Sequence, residues 1–447
     1  MSRWKDIYQS KLVSAAEAVK CIKSHDRVVV GFACGEPQVL VEAMVHRAGE
    51  LEDVEVDHMI AVGPSKYCLP ENERSFRHRS LFIGPGSRKA VNEGRADYVP
   101  IFFYQVPRLF RDGFYPVDVC LMQVSPPNKN GYCSMGVSAD YSIAAMEAAK
   151  ILIAEVNPRM PKTYGPRMFH VSEFDHLVEV DYPILAFPRA KVGDKEKKIA
   201  EYVASLVDDG ATLQMGIGSV PEGVASLLTG KENLAVHSEM LADWCVDLIE
   251  AGALTGSLKT MHRHKIVSTF AMGTQELYDA MDDNPTFEMW PVDYVNDSTI
   301  IAQQHKMISI NSALQVDLQG QICADSIGPQ LYSGVGGQVD FIRGAANCPG
   351  GKSIIALNAT AKQGTISKIV PLLDLGSSVT ASRNEVHYVV TEFGIADLRY
   401  KTVRERGEAL IEIAHPDFRA DLRKTLYAQY PGYARYRERI ASAQVSD

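Results

Sequence analysis

The alternation of apolar and polar residues predicts a helix, a strand, a glycine-rich turn and a second helix near the start of the chain. Apolar residues recur at helical spacing over 12–22, and a continuous apolar run over 27–30 is typical of a buried strand. Gly31 and Gly35 then interrupt the pattern, and helical spacing resumes over 38–45. This unit is complete within the first part of the chain.

The same order of elements recurs in the second half. Residues 199–206 have helical spacing, 212–215 form an apolar strand, and Gly216 and Gly218 make the turn. The identical residues that align at one spacing are Ala16 with Ala200, Glu17 with Glu201, Val19 with Val203, and Pro37 with Pro221. The repeat predicts two similar α/β domains, residues 1–190 and 191–447, divided within a polar stretch.

Short apolar strands alternate with helical segments in both halves. Examples lie at 119–125, 150–156, 353–358 and 386–392. This alternation predicts an α/β fold with largely parallel sheets covered by helices. Because ligands bind at the carboxyl ends of parallel strands, functional residues are expected directly after strands.

The composition narrows the range of partners. Apolar residues make up 46% of the 447 positions, and the net charge at pH 7 is -9. Nucleic acid and anionic membranes are therefore not expected as partners, since both require a basic surface. The first residues lack the apolar segment of a signal peptide, and no apolar stretch is long enough to span a bilayer. We expect a cytoplasmic protein.

The cysteines and histidines do not form a metal-ligand pattern. The eight cysteines contain no C-x-x-C pair, which predicts free thiols in a reducing compartment. His262 and His264 lie close together but have no further metal-ligating residues beside them. We expect neither a metal site nor a permanently bound cofactor.

The loop MGIGSVPEG at 215–223 places glycines at the end of a predicted strand and before a helix. Free N–H groups at such a helix start can hold a phosphate or a developing oxyanion. A dinucleotide site is excluded, because Pro221 stands where the third glycine of the fingerprint belongs. The loop serves either tight packing or ligand binding.

A second glycine-rich segment spans 333–353, and its glycines exceed what one surface turn requires. Asp340 and Arg343 lie three positions apart there and could pair with each other. Farther along, Lys362 follows a predicted strand in a polar loop, where a lysine is either solvated or in contact with an anion.

Glu239, in the stretch AVHSEM, follows a predicted strand. Ser238 is a suitable N-cap, and Leu241 and Trp244 begin an apolar helical stripe, so Glu239 is expected in the first turn of a helix. The helix dipole there favours a carboxylate. A glutamate with a reference pKa near 4.3 is anionic at neutral pH and can act as a nucleophile. Acidic residues are also common at helix starts without any function.

A series of motifs in one order identifies a family. These motifs are VSPPNKNGYCSMGVSADY, AEVNPRMPKTYG, MGIGSVPEG, HSEM, PVDYVND, SGVGGQVDF with GGKSIIAL, and TEFGIADLRYKTVRERGEAL. The chain resembles members of the acetyl-CoA hydrolase/transferase family, which includes 4-hydroxybutyrate and butyrate:acetate CoA-transferases. The resemblance implies two ribose-phosphate-isomerase-like α/β domains, in agreement with the repeat.

The resemblance also implies roles for individual residues. Glu239 matches the catalytic glutamate, and Gly337 matches the glycine whose N–H helps to hold the oxyanion. Lys362 matches a lysine that contacts CoA. The residues expected to line the CoA thioester or its binding loop are Gln214, Met215, Gly216, Ile217, Gly218 and Gly336.

The implied reaction moves CoA between short-chain acids through a glutamyl-CoA thioester on Glu239. Acetate is the expected partner of butyrate or 4-hydroxybutyrate. An alternative is a dicarboxylate such as itaconate or succinate, which requires a cation in the pocket; Arg88, His58 and Arg343 are the candidates. Hydrolysis of acyl-CoA by the same nucleophile and a non-catalytic acyl-CoA-binding protein also stay open. Relatives suggest a homo-oligomer, a dimer or larger.

Overall fold

The computed structural model describes residues 3–444. In the first half, seven strands form a sheet in the order β4-β3-β2-β1-β5-β7-β9. Every pair of neighbouring strands in this sheet is parallel. The strands of this half are β1 (Arg27–Val30), β2 (Val54–Asp57), β3 (Phe76–Ser80), β4 (Ala96–Tyr98), β5 (Val117–Val124), β6 (Tyr132–Cys133), β7 (Ala149–Val156), β8 (Phe169–His170) and β9 (His176–Glu179).

The second half contains an eight-stranded sheet in the order β13-β12-β11-β10-β14-β19-β23-β24. Its neighbours are parallel except for β24, which runs antiparallel to β23. The strands are β10 (Thr212–Met215), β11 (Ala235–Leu241), β12 (Ile266–Ala271), β13 (Phe287–Met289), β14 (Met307–Asn311), β15 (Gln315–Asp317), β16 (Ile322–Cys323), β17 (Ser326–Ile327), β18 (Gln330–Leu331), β19 (Lys352–Ala356), β20 (Thr360–Ala361), β21 (Ile366–Ser367), β22 (Ile369–Val370), β23 (Tyr388–Thr391) and β24 (Gly394–Asp397).

Helices cover the sheets. They are α1 (Arg3–Lys11), α2 (Ala15–Ala18), α3 (Gln38–Val45), α4 (Pro85–Asn92), α5 (Val106–Arg111), α6 (Ser142–Ala148), α7 (Asp194–Ser205), α8 (Ser219–Leu228), α9 (Trp244–Glu250), α10 (Gln275–Met281), α11 (Val292–Val295), α12 (Ser298–Ala302), α13 (Gln338–Asn347), α14 (Val403–Ile413), α15 (Pro416–Gln429) and α16 (Pro431–Gln444).

The two large sheets have the same strand order over seven strands, and β24 is an additional edge strand of the second sheet. Each begins at an inner strand, adds three strands on one side, and then continues on the other side of the first strand. The predicted α/β class with largely parallel sheets is confirmed. The division at residue 190 stays a prediction; it lies between β9 and α7, in a segment that forms neither helix nor strand.

The pattern of apolar residues in the sequence predicted the bounds of most of the helices and strands it indicated to within a few residues. The predicted strands over 27–30 and 212–215 and the helix over 38–45 coincide with β1, β10 and α3. The helical spacing over 12–22 is realised only by the four residues of α2 and a following 3₁₀ turn over 19–21. All eight cysteines have free thiols.

The two halves are joined by apolar packing and by backbone hydrogen bonds. The ring of Phe32 lies 4.7 Å from that of Phe270, edge to face, and Phe103 also packs against Phe270. The N–H of Ala139 donates to the carbonyl of Thr269 at 2.9 Å. One continuous apolar core therefore includes residues of both sheets.

Two side chains of the first half accept hydrogen bonds from the N–H groups at the start of helix α3. A carboxylate oxygen of Glu155 accepts the N–H of Leu40 at 2.6 Å, and the hydroxyl of Tyr182 accepts the N–H of Gln38 at 3.2 Å. A cavity of about 830 Å³ lies beside this helix, lined mainly by apolar residues of α2, α3 and 182–186. It does not include Glu239.

We expect Phe270→Ala to lower the free energy of unfolding by roughly 3 to 5 kcal/mol, because it leaves a cavity between the two halves. Chemical denaturation of the purified protein measures this loss. Phe114, whose side chain is 75% exposed, is the matched control: Phe114→Ala should change the stability by less than about 0.5 kcal/mol. Equal stability of the two variants would contradict the packing described here.

Candidate active site

Glu239 lies inside a strand, and the prediction that it begins a helix is wrong. Strand β11 continues to Leu241, because its residues pair with β12 as far as Leu241 opposite Ala271. The Ser238 hydroxyl does not cap a helix; it donates to the carbonyls of Met215 and Met240. Helix α9 begins three residues later, with Asp243 as its N-cap residue.

The carboxyl group of Glu239 instead faces the start of α13, a helix distant in sequence. Gly337 is the N-cap residue of α13, and its backbone N–H is hydrogen-bonded to the Glu239 carboxylate. The Asn296 amide nitrogen donates to Glu239 Oε2 at 2.6 Å. The dipole of a neighbouring helix thus acts on the carboxylate where we had expected the dipole of its own helix.

Burial dominates the acidity of Glu239. It raises the pKa of this carboxyl group to about 7, against the effect of the hydrogen bonds from Asn296 and Gly337, which favour the charged form. The negative charge of Asp140 raises the pKa further. Near neutral pH the group therefore exists in both protonation states, whereas the sequence predicted a fully ionised carboxylate.

Two adjacent glycines allow the close approach to Glu239. Gly336 has a φ of +53°, a left-handed conformation that favours glycine. Gly337 has an ordinary φ of -98° but needs glycine for space, because a Cβ there would overlap the Glu239 carboxylate and the Asn296 amide. The carbonyl of Gly336 accepts the N–H of Phe103 from the first half at 3.1 Å.

A cleft of about 250 Å³ opens where the strand order of the second sheet reverses, between β10 and β14. Its lining includes the loop 216–221 after β10 and the residues Asn311 and Ser312 at the end of β14. Open α/β sheets bind ligands at this kind of reversal. The loop contacts the strand of Glu239 through the Ser238 bond to Met215 and through the Trp244 indole, which donates to the Gly216 carbonyl at 3.2 Å.

The predicted CoA-contacting residues are only partly brought together. Gly216, Ile217 and Gly218 line the cleft, and Gly336 and Gly337 lie beside Glu239. The side chain of Met215 is fully buried in the core.

The remaining two predicted contacts lie elsewhere. Gln214 accepts hydrogen bonds from Ser309 and Asn311 at 2.8 and 3.1 Å, so it fixes the end of β14. Lys362 is exposed in the turn between β20 and β21, with a φ of +45°. Contacts of both residues with CoA stay predictions.

The three candidate cations for a second carboxylate are all engaged elsewhere. The Arg88 guanidinium lies 3.9 Å from the centre of the Tyr332 ring and donates to the carbonyl of that residue. Arg343 donates to Glu385 at 2.7 Å, and not to Asp340 as its position had suggested. Burial lowers the pKa of His58 to about 3, and its ring bonds the hydroxyl of Tyr67.

Two residues that touch the site were missed as functional candidates. Asn296 lies within the motif PVDYVND, directly after α11, and Asp340 was considered only as a partner of Arg343. The Asn296 amide also donates to Asp340 Oδ2, at 3.3 Å. A buried Asn at the end of an apolar helix was the available signal, since such an amide requires polar partners.

Within 3–444, His, Cys, Asp and Glu side chains form no group of three or more that could hold a metal ion. No helix in the described part of the chain is long and apolar enough to cross a membrane.

Comparison with protein families decides the assignment. The acetyl-CoA hydrolase/transferase N-terminal domain matches residues 1–188, and the C-terminal domain of the same family matches 273–426. This chain belongs to the acetyl-CoA hydrolase/transferase family. The resemblance inferred from the motifs is confirmed.

Relatives with a named activity cover nearly the whole chain. It is 53% identical over 419 residues to the 4-hydroxybutyrate coenzyme A transferase of Clostridium kluyveri, covering 94% of this chain and 98% of the relative. It is 43% identical over 415 residues to the succinyl-CoA:cyclohexane-1-carboxylate CoA transferase of Geobacter metallireducens, covering 93% and 94%. The crystal structure of RipA from Yersinia pestis matches with a TM-score of 0.91 at 37% identity, covering 96% and 99%. The predicted enzyme class, CoA-transferase, is confirmed.

We expect Gly337→Ala to lower acyl-CoA turnover by about 100-fold, because the added Cβ displaces the Glu239 carboxylate from its donors. Steady-state kinetics measures the loss. Gly49 is the matched control, since a Cβ there meets no atom within 4 Å, and Gly49→Ala should retain full turnover. Undiminished turnover in Gly337→Ala would show that the close contact does not matter.

Proposed function

We propose that this chain transfers CoA between acetate and a second short-chain monocarboxylic acid, such as butyrate or 4-hydroxybutyrate, through a glutamyl-CoA thioester on Glu239. The observation that carries the proposal is the Glu239 carboxyl group itself. It lies between two uncharged donors, Asn296 and Gly337, on a strand bonded to the glycine loop of the cleft. A CoA thioester and a carboxylic acid are the only reactants required.

The two carboxylate oxygens of Glu239 have different roles in this scheme. Oε2 is held by Asn296, which leaves Oε1 to attack the thioester carbonyl. The carbon–sulfur bond breaks, the CoA thiolate leaves, and an acyl-glutamyl anhydride forms. The thiolate then attacks the glutamyl carbonyl carbon, so that the negative charge develops on Oε2, where the Asn296 amide already donates.

The second part of the reaction reverses these steps. The first acid leaves as a carboxylate and takes Oε1 with it, which yields the glutamyl-CoA thioester. An acceptor carboxylate attacks that thioester, the thiolate is released again, and it attacks the acyl carbonyl of the new anhydride. The products are a new acyl-CoA and a free Glu239 carboxylate, with no water or net proton consumed.

Exclusion of water separates this reaction from hydrolysis, because anhydrides and activated thioesters react readily with water. The site lies where the first half packs onto the second: the Phe103 N–H bonds Gly336, and the core is continuous across both halves. This packing favours transfer. Hydrolysis by the same nucleophile is the alternative outcome of the experiment below.

The substrate proposed is a monocarboxylate, not a dicarboxylate such as itaconate or succinate. A second carboxylate requires a positive charge in the pocket. Arg343 is paired with Glu385 and His58 is neutral, so neither supplies it, and Arg88 keeps its charge but is held against the Tyr332 ring and carbonyl.

The location and the assembly of the protein are also proposed. We infer a cytoplasmic enzyme from the sequence, and a homo-oligomer from exposed apolar side chains around one edge of the second half. Ile327, Leu372 and Leu375 are 51%, 53% and 96% exposed, and exposed apolar residues that lie together mark sites of protein–protein contact.

We expect butyryl-CoA to leave a CoA-sized adduct on the protein, detected by intact-mass analysis, that is absent in Glu239→Gln. Glu250→Gln, which alters an exposed acid on α9, is the matched control and should retain the adduct. Labelled acetate then distinguishes the alternatives, because only a transferase returns the label in acetyl-CoA. Release of CoA without labelled product indicates a hydrolase, and tight binding without an adduct indicates a non-catalytic binder.

The rate of transfer should rise with pH and level off above about 7. Only the ionised form of Glu239 attacks, and burial raises its pKa to about 7. Asn296→Ala removes a donor to the charged form, so the midpoint should move to higher pH by about one unit. Rates measured between about pH 5 and pH 9 test both statements. A flat wild-type profile, or a midpoint that moves to lower pH in the variant, would contradict them.

A further inference from the structure

Asp340 is a second acid beside Glu239, and the reaction described above does not use it. It lies in the first turn of α13, is 1% exposed, and its Oδ2 accepts the Asn296 amide at 3.3 Å. Its other oxygen, Oδ1, has no hydrogen-bond partner. Arg343, one turn along the same helix, bonds Glu385.

Asn296 connects the two acids through one nitrogen. Its amide nitrogen donates to Glu239 Oε2 and to Asp340 Oδ2, so both of its hydrogens are used. This arrangement fixes which end of the amide faces Glu239. With no acceptor at position 340, the amide could turn its oxygen toward the carboxylate, which would repel Glu239 in place of holding it.

Glu239 and Asp340 share one amide donor, so the two acids cannot both ionise easily. The charged and polar groups that act on Asp340 are Glu239 on β11, the Asn296 amide, the Tyr104 backbone N–H from the first half, and Arg343 on its own helix. Burial, and next the charge of Glu239, raise the pKa of Asp340 well above its usual value. The Asn296 amide lies closer to Glu239 Oε2, at 2.6 Å, than to Asp340 Oδ2, at 3.3 Å, so Glu239 is the member of the pair that ionises.

We propose that Asp340 is a positioning residue that stays protonated and, by accepting the second hydrogen of the Asn296 amide, holds that amide toward Glu239. The inference rests on the proposed function, because it assigns the negative charge of the Glu239–Asp340 pair to the nucleophile. Asp340 itself touches neither CoA nor the acyl group in this scheme.

The variant Asp340→Asn tests the protonation state, since an amide imitates the neutral acid in shape and charge. We expect a transfer rate within about threefold of wild type and an unchanged pH midpoint. If Asp340 is instead ionised, the substitution removes a neighbouring negative charge, and the midpoint moves to lower pH by about one unit or more. That shift would overturn the proposal.

The variant Asp340→Ala tests the positioning role. We expect kcat to fall on the order of 10- to 100-fold with an unchanged KM for the acyl-CoA, because the misplaced group is the nucleophile and not a CoA contact. In an Asn296→Ala background the same change should have no further effect. A kcat equal to wild type, or equal losses in both backgrounds, would overturn the proposal. Asp421→Asn, at an exposed acid on α15, is the control.

Infrared difference spectra of wild type minus Asp340→Asn at neutral pH give a result that does not depend on turnover. The band of a protonated carboxyl group supports the proposal, and a carboxylate band in its place contradicts it. Failure of CoA transfer in the wild type would refute the proposed function, while the spectra would still decide the state of Asp340.

Discussion

The arrangement of the site follows from one constraint: a half-buried carboxylate must be held without a cation bound to it. Asn296 and Gly337, the two groups that hold Glu239, are both uncharged. Removing a charge from water costs several kcal/mol even with good hydrogen bonds. The result is a nucleophile that is stabilised less than it would be in water, and hence more reactive when ionised.

Keeping the donors in place requires both halves of the chain. The carbonyl of Gly336 is held by the Phe103 N–H of the first half, and the Tyr104 N–H approaches Asp340 on the same helix. The glycine loop is thus held by the first half as well as by its contact with Glu239. A change in how the halves pack would alter the position of the oxyanion donors before it altered the nucleophile.

Much of the fold could be predicted from the sequence because its signals are local. Strand β10 and helix α3 have the expected bounds, and the repeat of elements corresponds to two sheets of the same strand order. The prediction that Glu239 begins a helix was wrong because a long-range interaction decides its position. Parallel pairing with β12 extends β11 past Ser238, the residue that had been expected to cap a helix.

The glycine loops of the site could be identified from their composition, but their partners could not. Asn296 contacts Glu239 across 57 positions of the chain, and no local pattern encodes that contact. The same holds for Arg343, whose partner is Glu385 and not the acid one turn before it. Side chains whose roles depend on distant contacts need the folded structure.

The bonds at the start of α3 show how corresponding positions of the two halves differ. Helices α3 and α8 follow the first strands of the two sheets, and each begins beside the point where the strand order reverses. In the first half, Glu155 and Tyr182 bond the N–H groups of α3. In the second, the start of α8 lines an open cleft. The first half fills the start of its helix with its own Glu155 carboxyl group, whose pKa burial raises to about 7, whereas the start of α8 stays open to a ligand.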